Sequence, residues 1–170
     1  MPASPPAAQA HAASQESSTD ALHLLKAEHR EVKAMFQQYH RLAEARGKGD
    51  ERMLLASQIC VALTLHTQVE EEILYPAARR ALTGGEDIVD EAYVEHASTK
   101  SLVAQIKTMT SDQPLFDARV KVLGEYVDHH VREEENELFP RLRKAALDLQ
   151  AMGERIAQRR KQLMAMPEPS

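Results

Sequence analysis

His29, His66, His96 and His130 each interrupt a run of apolar residues spaced three and four apart, at a place where a helix buries a hydrophobic side chain. The four runs are Leu22-Leu25-His29-Val32-Phe36-Tyr39, Ile59-Leu63-His66-Glu70-Ile73, Val89-Ala92-His96-Val103-Ile106 and Phe116-Val120-Leu123-Val127-His130-Glu134. In the second and fourth, a glutamate follows the histidine by four residues. A helix advances about 100° per residue, so Glu70 and Glu134 lie one turn beyond His66 and His130 on the same inward face. Burying one unpartnered carboxylate costs on the order of several kcal/mol, and a second one nearby adds repulsion. Four imidazoles and two carboxylates are the donors that divalent or trivalent metal ions prefer, and a metal pair removes the penalty. One histidine on an apolar stripe is ordinary core; one on each of four stripes is a ligand set.

The chain also repeats itself. His66-Thr67-Gln68-Val69-Glu70-Glu71-Glu72-Ile73-Leu74-Tyr75-Pro76 aligns with His130-Val131-Arg132-Glu133-Glu134-Glu135-Asn136-Glu137-Leu138-Phe139-Pro140, with His, two Glu, Leu, an aromatic and Pro coinciding. Upstream, Glu28-His29 with Lys33 matches Glu95-His96 with Lys100. Two helical hairpins, each supplying one His and one His-x-x-x-Glu, make a pseudo-two-fold site with one metal position per hairpin.

The elements that must hold these residues are helices. Thr19, as N-cap, opens the first, which Gly47-Lys48-Gly49 closes. The second starts near Asp50, is kinked rather than ended by Pro76, and stops at Thr83-Gly84-Gly85. The third spans about Glu86 to Met109, and Ser111-Asp112-Gln113-Pro114 turns the chain into the fourth. The expected fold is all-α, an antiparallel up-and-down four-helix bundle over 19–146, with a short amphipathic helix over 147–165 and a tail at 166–170. Residues 1–18, rich in Ala, Ser and Pro, read as a disordered tail.

The doubled His-x-x-x-Glu-Glu-x-x-x-aromatic-Pro pattern resembles the hemerythrin-like HHE cation-binding family, over roughly Asp20 to Ala145. The resemblance implies two iron ions per chain, oxo- or hydroxo-bridged, with His29, His66, Glu70, His96, His130 and Glu134 as ligands and both glutamates bridging. Oxygen-carrying members place a second histidine one turn from that of the third helix and an aspartate five residues after the last histidine. Here Ala92 and Lys100 flank His96, and the last carboxylate is Glu134, at plus four. The pattern therefore looks more like the bacterial HHE proteins, including the iron-sulfur-centre repair proteins, whose usual Cys-containing leading segment has no counterpart in residues 1–18. Four imidazoles and two bridging carboxylates fill about eight of roughly twelve bonds around two six-coordinate irons, leaving room for dioxygen, nitric oxide or peroxide. Because the halves are nearly equivalent, each iron is expected to keep an open position.

Other classes fit less well. A ferritin-like oxidase shows Glu-x-x-His twice and a zinc hydrolase His-Glu-x-x-His, and neither occurs. A histidine-phosphotransfer bundle needs one outward histidine, and a purely structural bundle leaves Glu70 and Glu134 unexplained. A net charge of −5 argues against nucleic acid as a partner. The longest uncharged apolar run, Ile59 to Leu65, is far short of the roughly 20 residues that span a bilayer. A basic, apolar leader is missing, so a cytoplasmic location is expected. His129 is placed at the rim, His40 too far along its helix to share the metal, and His11 and His23 in solvent. Tyr93 and Tyr126 are each within a turn of a proposed ligand and read equally as hydrogen-bond donors to the ligands or as packing. Lys33 and Lys100 read as solvated or as guarding the pocket mouth, and Cys60, the single cysteine, as core filler.

Overall fold

The computed structural model describes residues 20–45 and 48–166, and among these it contains helices and no strand. Thr19, the 1–18 segment, Gly47 and residues 167–170 lie outside the described residues. Helix α1 (Ala21–Glu44) is capped by Asp20, whose Oδ1 accepts from the His23 amide at 2.9 Å. Helices α2 (Gly49–Val69) and α3 (Tyr75–Ala81) are joined without a break by a π turn, Glu70–Leu74. After the turn at Gly84, α4 (Glu86–Lys107) ends two residues earlier than expected. The same device recurs in the last rod, where α5 (Phe116–Glu133) passes through a π turn, Glu134–Leu138, into α6 (Phe139–Lys144). Helix α7 (Leu149–Ala165), capped by Asp148, completes five rods.

The two π turns answer the prolines. Pro76 and Pro140 have no N–H to give the carbonyl four residues back, and one extra residue in the turn absorbs the mismatch. The ladder instead runs from the Tyr75 amide to the Glu70 carbonyl and from the Phe139 amide to the Glu134 carbonyl.

In the bundle, α1 packs on α2, α2 on α4, α4 on α5 and α5 back on α1, a closed ring of up-and-down neighbours. Helix α7 lies outside the ring across α1 and α2, burying Met152 and Ile156. The apolar core comes in two blocks. One gathers Leu22, Leu25, Leu74, Leu138, Leu142 and Ile156; the other gathers Phe36, Ile59, Leu63, Ile106, Val120 and Leu123. Between them lies a polar layer holding His29, His66, Glu70, His96, His130 and Glu134, all buried. Each fully buried Leu or Ile contributes roughly 1.5–3 kcal/mol, so two such blocks can carry a layer that by itself opposes folding. No helix among the described residues is long and apolar enough to cross a membrane.

Candidate metal centre

All six expected ligands meet in that layer. Nε2 of His29 lies 3.1 Å from Nε2 of His66, and Nε2 of His96 lies 3.1 Å from that of His130. Each pair therefore joins neighbouring helices of one hairpin, α1 with α2 and α4 with α5. Glu70 spans the pairs, with Oε1 3.2 Å from His66 Nε2 and Oε2 3.3 Å from His96 Nε2. Glu134 does the same from the opposite rod, its Oε2 3.4 Å from His29 Nε2 and 3.6 Å from His130 Nε2. Two groups emerge in which every donor atom is within 4.8 Å of the others, His29-His66-Glu70-Glu134 and Glu70-His96-His130.

The four imidazoles face inward because their outer nitrogens are held. Nδ1 of His66 donates to Glu28 at 2.8 Å and Nδ1 of His130 to Glu95 at 2.6 Å. Nδ1 of His96 donates to Glu71 at 3.0 Å and Nδ1 of His29 to Glu135 at 2.8 Å. Each holder is a chain neighbour of a ligand: Glu28 and Glu95 precede His29 and His96, and Glu71 and Glu135 follow Glu70 and Glu134. A carboxylate behind an imidazole fixes its tautomer, presents Nε2 to a cation and raises its basicity. The pairing of Glu28-His29 with Glu95-His96, and the second Glu of the repeat, carry this signal in the sequence, but nothing local says which histidine each glutamate reaches.

Whether this donor set fits a metal pair is decided by two atoms. Glu70 Oε1 and Glu134 Oε2 are buried without a hydrogen-bond partner, each aimed at histidine nitrogens. Buried carboxylate oxygens left bare in this way are costly unless a cation takes them. The set fits. Although burial opposes its charge, Glu70 and Glu28 raise the His66 imidazole to about 10. Burial likewise opposes ionisation of Glu70, yet His66 and His96 hold its carboxyl well below the usual range.

The halves differ where the repeat has Tyr75 against Phe139. Tyr75 is fully buried, and its hydroxyl donates to Glu134 Oε1 at 2.9 Å while lying 3.0 Å from His96 Nε2 and 3.3 Å from Glu70 Oε2. Burial first, then Glu134 and Glu70, push this phenol well above its ordinary value. Phe139 has no hydroxyl and stacks on the His29 ring at 5.9 Å between centroids. The expectation of equivalent halves therefore fails. In an unbroken α-helix Tyr75 would lie about 140° around from Glu70 and point away, and the π turn between them brings it back. A cavity of about 20 Å³, bordered by all four histidines, has room for one water-sized molecule beside the ligands.

The hemerythrin HHE cation-binding domain model matches residues 20–142. The chain belongs to this family. An 86-residue stretch, 51% of the chain, is 42% identical to a protein from Nostoc named as a DNA nickase, and it covers 24% of that relative's length. The uncharacterized protein Rv2633c of Mycobacterium tuberculosis is 23% identical over 154 residues, spanning 87% of this chain and 89% of that one. The crystal structure of an HHE domain-containing Rv2633c homolog from Mycobacterium kansasii superposes with a TM-score of 0.69 at 19% identity, covering 85% and 86% of the two chains. That likeness establishes the hemerythrin-like helical fold, and the matched segment contains buried His/Glu clusters able to hold metal ions.

Residues assigned to the margins stay there. His129 is exposed and pairs with Glu95 and Glu133 at 3.4 and 3.3 Å, and His40 and His23 are exposed. His11 lies outside the described residues. Lys100 grips Glu71 with Nζ–O distances of 2.6 and 2.7 Å, whereas its counterpart Lys33 turns to Asp128 at 3.5 Å. Tyr93 packs edge-on against Tyr75, and Tyr126 is exposed. Burial pushes the Cys60 thiol up to about 11, as befits inert core filler. Arg160 of α7, which periodicity did not single out, pairs with Glu28 behind His66.

Proposed function

We propose that this HHE domain holds a non-haem di-iron centre, with His29 and His66 at one position, His96 and His130 at the other, and Glu70 and Glu134 between them. The observation that carries the reading is the bare inner oxygens of Glu70 and Glu134, the first facing His66 and the second His29 and His130, histidines whose outer nitrogens are already engaged. Imidazole and carboxylate donors in a shared, carboxylate-bridged bundle site favour iron. When bound, the iron pair supplies redox chemistry toward dioxygen, nitric oxide or peroxide, for oxygen or redox sensing, iron handling or stress defence.

The chain's own residues make the two positions unequal. Tyr75 puts a phenol oxygen among the donors at the His96–His130 position, one more than its partner has. The His29–His66 position has Phe139 in that place, which offers no oxygen, so a position would be left there for an exogenous molecule from the cavity that all four histidines border. Glu28, Glu71, Glu95 and Glu135 hold the imidazoles in one tautomer, and the apolar blocks on both sides exclude bulk water. A protein that accommodates the repair reaction of iron-sulfur centres would use the same ligands. Nicking of DNA, the activity in the Nostoc relative's name, finds no support in a chain with net charge −5.

Metal analysis of protein from iron-supplemented cells tests the reading. It predicts about two irons per chain and near-ultraviolet charge-transfer bands. Full occupancy by a single zinc overturns it.

A further inference from the structure

Between α1 and α5 a groove of about 270 Å³ runs from the surface to His29. Its inner wall is apolar, made by Phe36, Gly124, Val127 and Val131. Its polar lining sets Lys33 and Lys121 against Glu125 and Asp128, whose formal charges cancel, with Gln37 and His40 beside them. His29, Val127 and Val131 also border the 20 Å³ cavity among the histidines, so these three side chains, two of them valines, stand between groove and centre.

The repeat supplies a comparison. Six and three residues before His130 stand Gly124 and Val127, and one after it Val131; at the same offsets from His66 stand Cys60, Leu63 and Thr67. On the α2–α4 side, Cys60 and Leu63 are buried and fill the space that glycine and the smaller valine leave open on the α1–α5 side. Gly124 sits in the interior of α5, where glycine weakens a helix. A Cβ there would meet the Phe36 ring at 3.1 Å, so any larger residue presses the ring and narrows the groove. Glycine at this position lets the Phe36 ring lie close against α5, and the two together line the inner wall of the groove.

We propose that the α1–α5 groove is the access route by which a small uncharged molecule reaches the His29–His66 position, with Val127 and Val131 as its gate. This rests on the reading of the centre given above and names the class of molecule and the side of approach. Charged competitors lose their hydration at an apolar wall with no compensating charge, and hydroxylic ones such as hydrogen peroxide lose hydrogen bonds, whereas weakly hydrated dioxygen and nitric oxide lose little.

Two measurements on the full chain test it. Stopped-flow mixing of ferrous-loaded protein with dioxygen should show the bimolecular rate falling about tenfold or more in Val131→Phe and rising in Val127→Ala, with iron content and ferric spectrum unchanged. Crystals of metal-free protein under xenon should show the gas against Phe36, Gly124 and Val127. Unchanged rates in both variants, or xenon bound only on the α2–α4 side, overturn the route. Should Val131→Phe fail to fold, Val127→Ala decides. A chain that takes up no iron refutes the reading of the centre, while xenon in the groove would still establish the passage for uncharged gas.

Discussion

The α1–α2 half and the α4–α5 half of the bundle each carry one His and one His-x-x-x-Glu, yet three differences set them apart. Tyr75 reaches the His96–His130 position, while Phe139 in the equivalent place only stacks on His29. Lys100 is locked on Glu71, while Lys33 leans away to Asp128 at the mouth of the groove. Gly124 and Val127 leave a groove beside His29, while Cys60 and Leu63 fill the matching space. What the halves share is the donor set proposed for the metal pair, and where they differ would decide which position meets the outside. On that proposal, a duplicated frame would supply affinity by symmetry and reactivity by its departures from symmetry.

The largest effect expected is from removing a ligand in either half. His66→Ala and His130→Ala should both lose stoichiometric iron, whereas His129→Ala and His40→Ala keep it, as elemental analysis will show. Because metal binds only the folded site, chelation should lower the melting temperature by about 10 °C, and both ligand variants should melt near the chelated protein. Retention by His130→Ala with loss in His129→Ala would move the centre to the exposed His129-Glu95-Glu133 group. Next in size are the carboxylates behind the imidazoles. Glu71→Ala and Glu135→Ala should each weaken metal binding about 10–100-fold, read by competition with a chelator, with the metal of the half that each one braces lost first. Equal loss from both positions in each variant would show that the halves fill as one unit.

Much of this site was legible in the sequence. His on four apolar stripes and the His-x-x-x-Glu repeat picked out the six side chains that converge in the buried polar layer, because period and spacing are local properties of a helix. Tyr75 was not legible, since its direction depends on a π turn that periodicity assumes away. Glu28, Glu71, Glu95 and Glu135 lay in matched positions, but their partners are 25 to 106 residues distant, across helix packing that no local pattern encodes. Helix α7 was expected from its amphipathic pattern; that it would set Arg160 behind Glu28 was not, because a surface arginine carries no periodic mark.

Smaller effects sharpen the asymmetry. Tyr75→Phe makes the two positions alike, so it should remove any visible tyrosinate-to-iron(III) band and speed the reaction with dioxygen, at an unchanged iron content. A band unaffected by this change would place the phenol outside the metal's reach. In metal-free protein the imidazolium of His66 is favoured by folding, its value being raised from 6.5 to about 10. The stability it contributes is complete below the unfolded value and is lost as pH rises through the folded one. The melting temperature of chelated protein should therefore decline from about pH 7 to pH 10 more steeply than that of iron-loaded protein, where His66 is neutral and ligated. Parallel curves for the two forms would mean that His66 is not titrating in the metal-free state.

The most direct test of an unequal iron pair is the Mössbauer spectrum of the diferric protein loaded with iron enriched in the active isotope, recorded with its iron content. The account predicts about two irons per chain in two distinct quadrupole doublets of equal area, which Tyr75→Phe draws together. One doublet from about two irons would contradict the inequivalence of the halves, and about one iron per chain would contradict the centre itself.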